Sequence, residues 1–232
     1  MRAHLSRTVV HSWRALAIAL VATGCAAAPR GALPPNASAT PIAPDPVAES
    51  LLVDVSTLRP APLVELRYAT ANNFTGAPLP GYGANRALLR REAASALARA
   101  SAALAARGLR IEVWDAYRPV RATRAMVEWT RRTGRTDLLR DGYIAEYSRH
   151  NLGLAVDCTL VDAATGRELE MGTPFDTFSP EAYTRSATGP VLANRLVLRD
   201  AMSRAGFVPY DAEWWHFAVM VPNAPRLDVP IR

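Results

Sequence analysis

Apolar residues recur along this chain in two rhythms, and the switches between them mark its elements. Over residues 84–107, Leu88, Leu89, Ala93, Leu97, Ala100 and Leu104 follow the helical period, which predicts a helix with Gly108 as its C-cap. Residues 119–132 read as a second helix with Pro119 in its first turn and Gly134 beyond its end. Residues 190–205 read as a third, ending near Gly206. Alternating or continuous apolar runs predict strands at 51–55, 63–68, 109–114, 154–161 and 214–219. Gly76, Pro78, Pro80 and Gly81 make 72–82 a loop, and Thr165-Gly166 is a turn. Helices and strands mix without regular alternation, so the expected class is α+β. Neither an internal repeat nor a domain boundary is visible after residue 50.

The first 50 residues follow a different logic. Arg2, Arg7 and Arg14 form a positive start, and Ala15 to Ala22 form an apolar stretch too short to span a bilayer. Ala22-Thr23-Gly24-Cys25 then places small residues just before a cysteine, a pattern similar to a bacterial lipobox. Residues 1–25 are therefore expected to be a lipoprotein-type signal peptide with Cys25 as the lipidated residue. A plain signal peptide cleaved near Ala26 to Ala28 is the alternative. Either reading puts the working domain outside the cytoplasm, in the periplasm or cell envelope, with membrane association through an anchor on Cys25. Residues 26–49 are rich in Ala and Pro and poor in large apolar side chains, so they are expected to be a spacer. The domain is expected over 50–232.

Composition narrows the function classes. The chain has 232 residues, half of them hydrophobic and 21% charged, which suffices for a folded core. Every one of its 27 basic residues is Arg, one-sidedness that fits genome composition better than a functional demand. Three of those Arg lie in the leader, leaving 24 against the 21 acids, and no basic stripe is interleaved with aromatics. Nucleic-acid binding is not expected. The two cysteines, Cys25 and Cys158, make no disulfide framework, and Cys158 reads as a small buried hydrophobe.

The chemistry concentrates around two histidines. Of four in the chain, His4 and His11 belong to the leader, which leaves His150 and His216. In the run Ser148-Arg149-His150-Asn151-Leu152-Gly153-Leu154-Ala155-Val156-Asp157, a turn through Gly153 can bring His150 and Asp157 together. An imidazole nitrogen and a carboxylate oxygen are both good donors to Zn²⁺. Asp157 lies in an apolar strand, where a carboxylate is costly unless it is paired or metal-bound. In Glu213-Trp214-Trp215-His216-Phe217, His216 is a candidate third ligand and Glu213 a candidate general base, although a packed strand end would look the same. Three protein ligands leave a fourth position for water, the arrangement of a catalytic site.

The stretch SRHNLGLAVD resembles the SxHxxGxAxD motif of the D-Ala-D-Ala metallopeptidases, a group that shares a fold core with hedgehog domains. EWWHF resembles their ExWH motif, and its doubled Trp is like the VanX-type dipeptidases. Asp115-Ala116-Tyr117-Arg118-Pro119 resembles the family's DxYRP, and Met171-Gly172-Thr173-Pro174-Phe175-Asp176 is similar to the segment that follows the metal-binding strand. The resemblance covers about residues 50 to 232 and implies a mostly antiparallel central sheet flanked by helices. It further implies one zinc per chain on His150, Asp157 and His216, Glu213 as base, and Arg118 on the oxyanion. Asp176 and Ser148 would hold the substrate's ammonium end, and Tyr117 would pack in the core or line the pocket. The implied substrate is the dipeptide D-alanyl-D-alanine. Two alternatives are a D,D- or L,D-carboxypeptidase acting on peptidoglycan stems and a zinc-stabilised cell-wall binding protein without turnover.

Overall fold

A computed structural model describes residues 40–232; the leader, Cys25 and most of the expected spacer lie outside the described residues. The centre is a five-stranded sheet in the order β2-β4-β5-β7-β6. It comprises β2 (Leu63–Val64), β4 (Leu109–Asp115), β5 (Ala155–Asp162), β6 (Val208–Pro209) and β7 (His216–Ala218). Only β2 and β4 run parallel; the other neighbours are antiparallel, as expected. A separate antiparallel pair joins β1 (Leu52–Asp54) to β3 (Leu88–Arg90). The helices are α1 (Asp45–Leu51), α2 (Arg91–Ala105), α3 (Val120–Arg132), α4 (Asp137–Arg140) and α5 (Gly189–Arg204).

The helical stripe is real but shorter than its pattern. Ala93, Leu97, Ala100 and Leu104 are buried on α2, which packs on β4 and α5. Leu88–Arg90, expected inside that helix, are a strand whose partner is β1. Period alone cannot separate the two here, because Leu88, Leu89 and Arg90 are buried on every side. The strand expected at 51–55 is likewise divided: Leu51 closes α1, and Val55 opens a 3₁₀ turn whose cap is Asp54.

The folded body also begins earlier than residue 50. Ala43 and Ala48 are buried, and Ile42 forms a β-bridge with Arg226, so Thr40 to Glu49 are packed rather than spacer. Alanines need only a tight fit, not bulk, to become core, and composition hides that.

On β5, Asp157 and Thr159 alternate with Val156, Cys158 and Leu160, so the sheet presents polar groups to one face only. There Glu112 of β4 stands opposite Thr159 and clusters with Glu65 and Glu168 around a single cation, Arg67. Burial, then the charge of Glu168, its hydrogen bond and Glu65, lift the Glu112 carboxyl from near 4.5 to about 7. The unfolded chain releases this proton first, so Glu112 makes stability fall as pH rises from about 4.5 through about 7, and nothing further is lost above. Glu112→Gln is expected to remove that part of the decline. Melting temperatures of both proteins between pH 4.5 and 8 check it; parallel curves would disprove the assignment.

Candidate active site

Three strands in register build the floor of the site. Asp157 lies near the start of β5, opposite Asp115 at the end of β4 and opposite His216 at the start of β7. A bulge at Trp114 lets Asp115 come level with Asp157, because the pairing steps from Val113↔Cys158 directly to Asp115↔Asp157. A row of carboxylate, carboxylate and imidazole therefore crosses the sheet.

His150 enters from the 3₁₀ turn Arg149–Leu152 just before β5. Ser148 caps that turn: its Oγ accepts from the His150 amide at 3.2 Å, and its own amide donates to Asn151 Oδ1 at 3.2 Å. Gly153 ends the turn at φ 66°, and a Cβ there would lie 3.0 Å from Leu52 Cδ2. Only glycine satisfies both the left-handed backbone and that close approach. The His150 Nδ1 faces the Ala116 carbonyl at 2.6 Å, which fixes its ring and turns Nε2 toward His216 Nδ1, 3.1 Å away. Asp157 closes the triangle, with Oδ1 2.9 Å from His216 Nδ1 and Oδ2 3.3 Å from His150 Nε2. Burial opposes charge on Asp157, but the two imidazoles outweigh it and hold the carboxyl well below its usual range.

Donor atoms of His150, Asp157 and His216 lie within 4.8 Å of one another. Two imidazole nitrogens and a carboxylate converging on one point, with the second nitrogen of His150 anchored, suit a transition-metal ion. The Glu65, Glu112 and Glu168 cluster also meets that distance, but it offers oxygen alone.

Trp214 and Trp215, expected to open the last strand, lie in a turn instead. Residues 213–216 form a turn in which the His216 amide donates to the Glu213 carbonyl at 3.1 Å. That fold-back puts Glu213 Oε2 4.0 Å from His216 Nδ1. Burial first, then the charge of Asp157, raise Glu213 to about 8. A divalent cation held by the triad would pull that value back down. The two Trp are buried: Trp214 Nε1 donates to Thr173 Oγ1 at 2.8 Å, and Trp215 packs on Phe175.

Arg118 is buried against Asp115, to whose Oδ2 its Nε and one terminal nitrogen donate at 2.9 and 2.7 Å. The same nitrogen is 3.7 Å from Asp157 Oδ2, and the guanidinium lies over the Tyr68 ring. Tyr82 donates to the other oxygen of Asp115. Asp176 holds the left-handed φ of 59° and accepts from the Tyr68 hydroxyl at 2.9 Å. Burial, and the nearby Asp157 and Glu213, raise its carboxyl well above the usual range. Arg195, buried on α5, donates to the carbonyls of Met171, Glu181 and Tyr183 and so pins both ends of the segment carrying Asp176.

Arg118, Ser148, His150, Asp157, Asp176, Glu213 and His216 thus line one narrow cavity of about 70 Å³. Tyr117, expected against the core or the pocket, does not reach it. Its neighbours Ala116 and Arg118 face His150 and Asp157, so the Tyr117 ring points the other way, fully buried, and donates to the Val229 carbonyl at 2.9 Å. Tyr68, Tyr82 and the bracing role of Asp115 were not read from sequence. Asp115 carried the same signal as Asp157, an acid at the end of an apolar strand. The tyrosines carried none, because 108 residues separate Tyr68 from Asp176 and 33 separate Tyr82 from Asp115. Asp157→Asn and His216→Ala are each expected to lower metal affinity at least about tenfold. Tyr82→Phe, which touches Asp115 rather than a ligand, is expected to keep its metal. Metal per chain after dialysis, measured by mass spectrometry, checks this; undiminished metal in Asp157→Asn would refute the triad.

The family model described as D-Ala-D-Ala dipeptidase matches residues 48–228. The chain is 34% identical over 186 residues to a D-alanyl-D-alanine dipeptidase of Enterococcus faecium, covering 72% of this chain and 92% of that protein. It is 34% identical over 184 residues to one of Streptomyces coelicolor, covering 72% and 91%. A third, from Escherichia coli, is 36% identical over 171 residues, covering 72% and 83%. With two imidazoles and a carboxylate converging on one point, a buried Glu213 beside them and a braced Arg118, this chain belongs to the D-Ala-D-Ala dipeptidase family of metal-dependent hydrolases.

Proposed function

We propose that the protein is a zinc dipeptidase that hydrolyses D-alanyl-D-alanine to two D-alanines outside the cytoplasm, in recycling or scavenging of dipeptide released from the cell wall. The observation that carries the substrate is Asp176. It lines the same narrow cavity as the metal triad, and no ion pair engages its carboxylate among the described residues. A dipeptidase must recognise a free amine, whereas a carboxypeptidase acting on longer chains has no use for an acid there.

His150, Asp157 and His216 would hold the zinc. Once bound, it would supply Lewis acidity to a water and to the scissile carbonyl. The protein's own groups do the rest. The ammonium of the substrate pairs with Asp176, whose carboxylate Tyr68 positions. An ammonium at that oxygen favours the ionised carboxylate and offsets the cost of its burial. Arg118, held rigidly by Asp115, meets the oxyanion that develops as water oxygen bonds to the carbonyl carbon. Glu213 accepts the proton from that water and delivers it to the amine as the C–N bond breaks. Ser148 caps the turn that carries His150 and so holds that ligand in place.

Free D-Ala-D-Ala is expected to be cleaved at least about a hundredfold more efficiently than its N-acetyl form, and faster cleavage of the acylated peptide would overturn the dipeptidase reading. Glu213→Gln is expected to lower kcat about a thousandfold with little change in bound zinc. Unchanged turnover in that variant would sink the proposed base.

For location, the support is the leader pattern that ends at Cys25. The wild-type protein is expected in the membrane fraction and Cys25→Ser in the soluble exported fraction or retained as precursor. An uncleaved wild-type chain in the cytosol would refute export.

A further inference from the structure

Four arginines are buried among the described residues, and three of them are fully employed. Arg90 donates to the carbonyls of Leu152 and Pro225. Arg118 grips Asp115. Arg195 ties down three carbonyls. The fourth is Arg149, 4% exposed, and its guanidinium makes no hydrogen bond or ion pair with any of the described residues. One terminal nitrogen is sealed from solvent without a partner. A guanidinium is always charged, and a desolvated, unpaired cation is among the least favourable things a fold can contain. When such a group persists, its partner is to be sought outside the chain.

Its position says what that partner is. Arg149 lines the narrow cavity of the triad and immediately precedes the ligand His150. The opposite charge without an ion pair in the same cavity is Asp176. One cavity is therefore lined by an acid without an ion pair, a cation without one and the hydrolytic groups, the charge pattern of a receptor for a small zwitterion. Arg118 cannot serve as the base, because Asp115 already occupies it and its task is the carbonyl oxygen.

We propose that Arg149 is the receptor for the substrate's C-terminal carboxylate, pairing with it through the guanidinium while Asp176 takes the ammonium. This rests on the dipeptidase reading for the identity of the substrate, but the carboxylate site itself does not. The two guanidinium nitrogens that are not sealed make no hydrogen bond among the described residues, so a carboxylate entering the cavity meets a partner with no competing bond.

The proposal separates binding from stability. In the zinc-loaded enzyme, Arg149→Met is expected to raise KM for D-Ala-D-Ala at least about thirtyfold with kcat within about threefold. Arg149→Lys should recover part of that loss. For D-alanyl-D-alaninamide, which lacks the carboxylate, Arg149→Met should leave KM unchanged. The melting temperature without ligand should stay level or rise in Arg149→Met, because an unpaired buried charge has been replaced by an apolar chain. A purely structural Arg149 would give the reverse: lower melting temperature and equal losses on acid and amide, and that result overturns the proposal.

Thermal shift with D-alanine against D-alaninamide keeps the two readings distinguishable. If the enzyme fails on D-Ala-D-Ala but D-alanine still stabilises wild type and not Arg149→Met, the substrate is wrong and the carboxylate site stands. If acid and amide act alike on both proteins, the carboxylate site is wrong.

Discussion

The site depends on the register of β5 against its two neighbours. Asp157 is level with Asp115 on one side and His216 on the other, and neither alignment survives a slip of one residue. Side chains alternate across a strand, so such a slip would send Asp157 into the apolar layer under α2 and α5 and bring Val156 or Cys158 to the metal position. The bulge at Trp114 is part of the same constraint, because without it Asp115 would fall short of Arg118 and His150. Register is held from the apolar side, where Ile111, Val113, Cys158 and Leu160 are fully buried. The core thus sets catalytic geometry as well as stability.

Charge is managed around this row in a consistent way. Asp115 carries Arg118, Tyr82 and the edge of His150. Asp157 is matched by two imidazoles and more distantly by Arg118. A network satisfied this completely leaves its members little freedom, which is what a preorganised site requires. Asp176 and Arg149 stand outside the pattern, each ionisable group lacking an ion-pair partner among the described residues. An incomplete polar network in a cavity beside a complete one is where a ligand completes the structure.

The Asp176 segment shows how much of the site is held from far away. Residues 171–183 have little regular structure, yet Arg195 fastens both ends from α5 and Trp214 Nε1 bonds Thr173 near the first end. Tyr68 then fixes the carboxylate from the opposite wall. A loop so anchored can keep a non-glycine residue at positive φ, a conformation that costs energy unless its surroundings enforce it.

The chain by itself determined the helices on α2, α3 and α5, the strands on β4 and β5, and the donor types that converge at His150, Asp157 and His216. These are local properties: period, caps, and an acid placed where an apolar strand makes it expensive. Local pattern failed where burial was uniform, as at Leu88–Arg90, or where small residues made the core, as at Ala43 and Ala48. It left Tyr117 open between core and pocket, since which side of a strand end faces the cavity depends on a bulge that no pattern announces. Only the tertiary structure decided that Tyr68 and Tyr82 hold the charged groups, that Glu213 folds back on His216, and that Arg149 has no partner among the described residues. Sequence can say which residues carry charge. Whether a charge is paired is a distance between remote segments, and the packed sheet alone sets that distance.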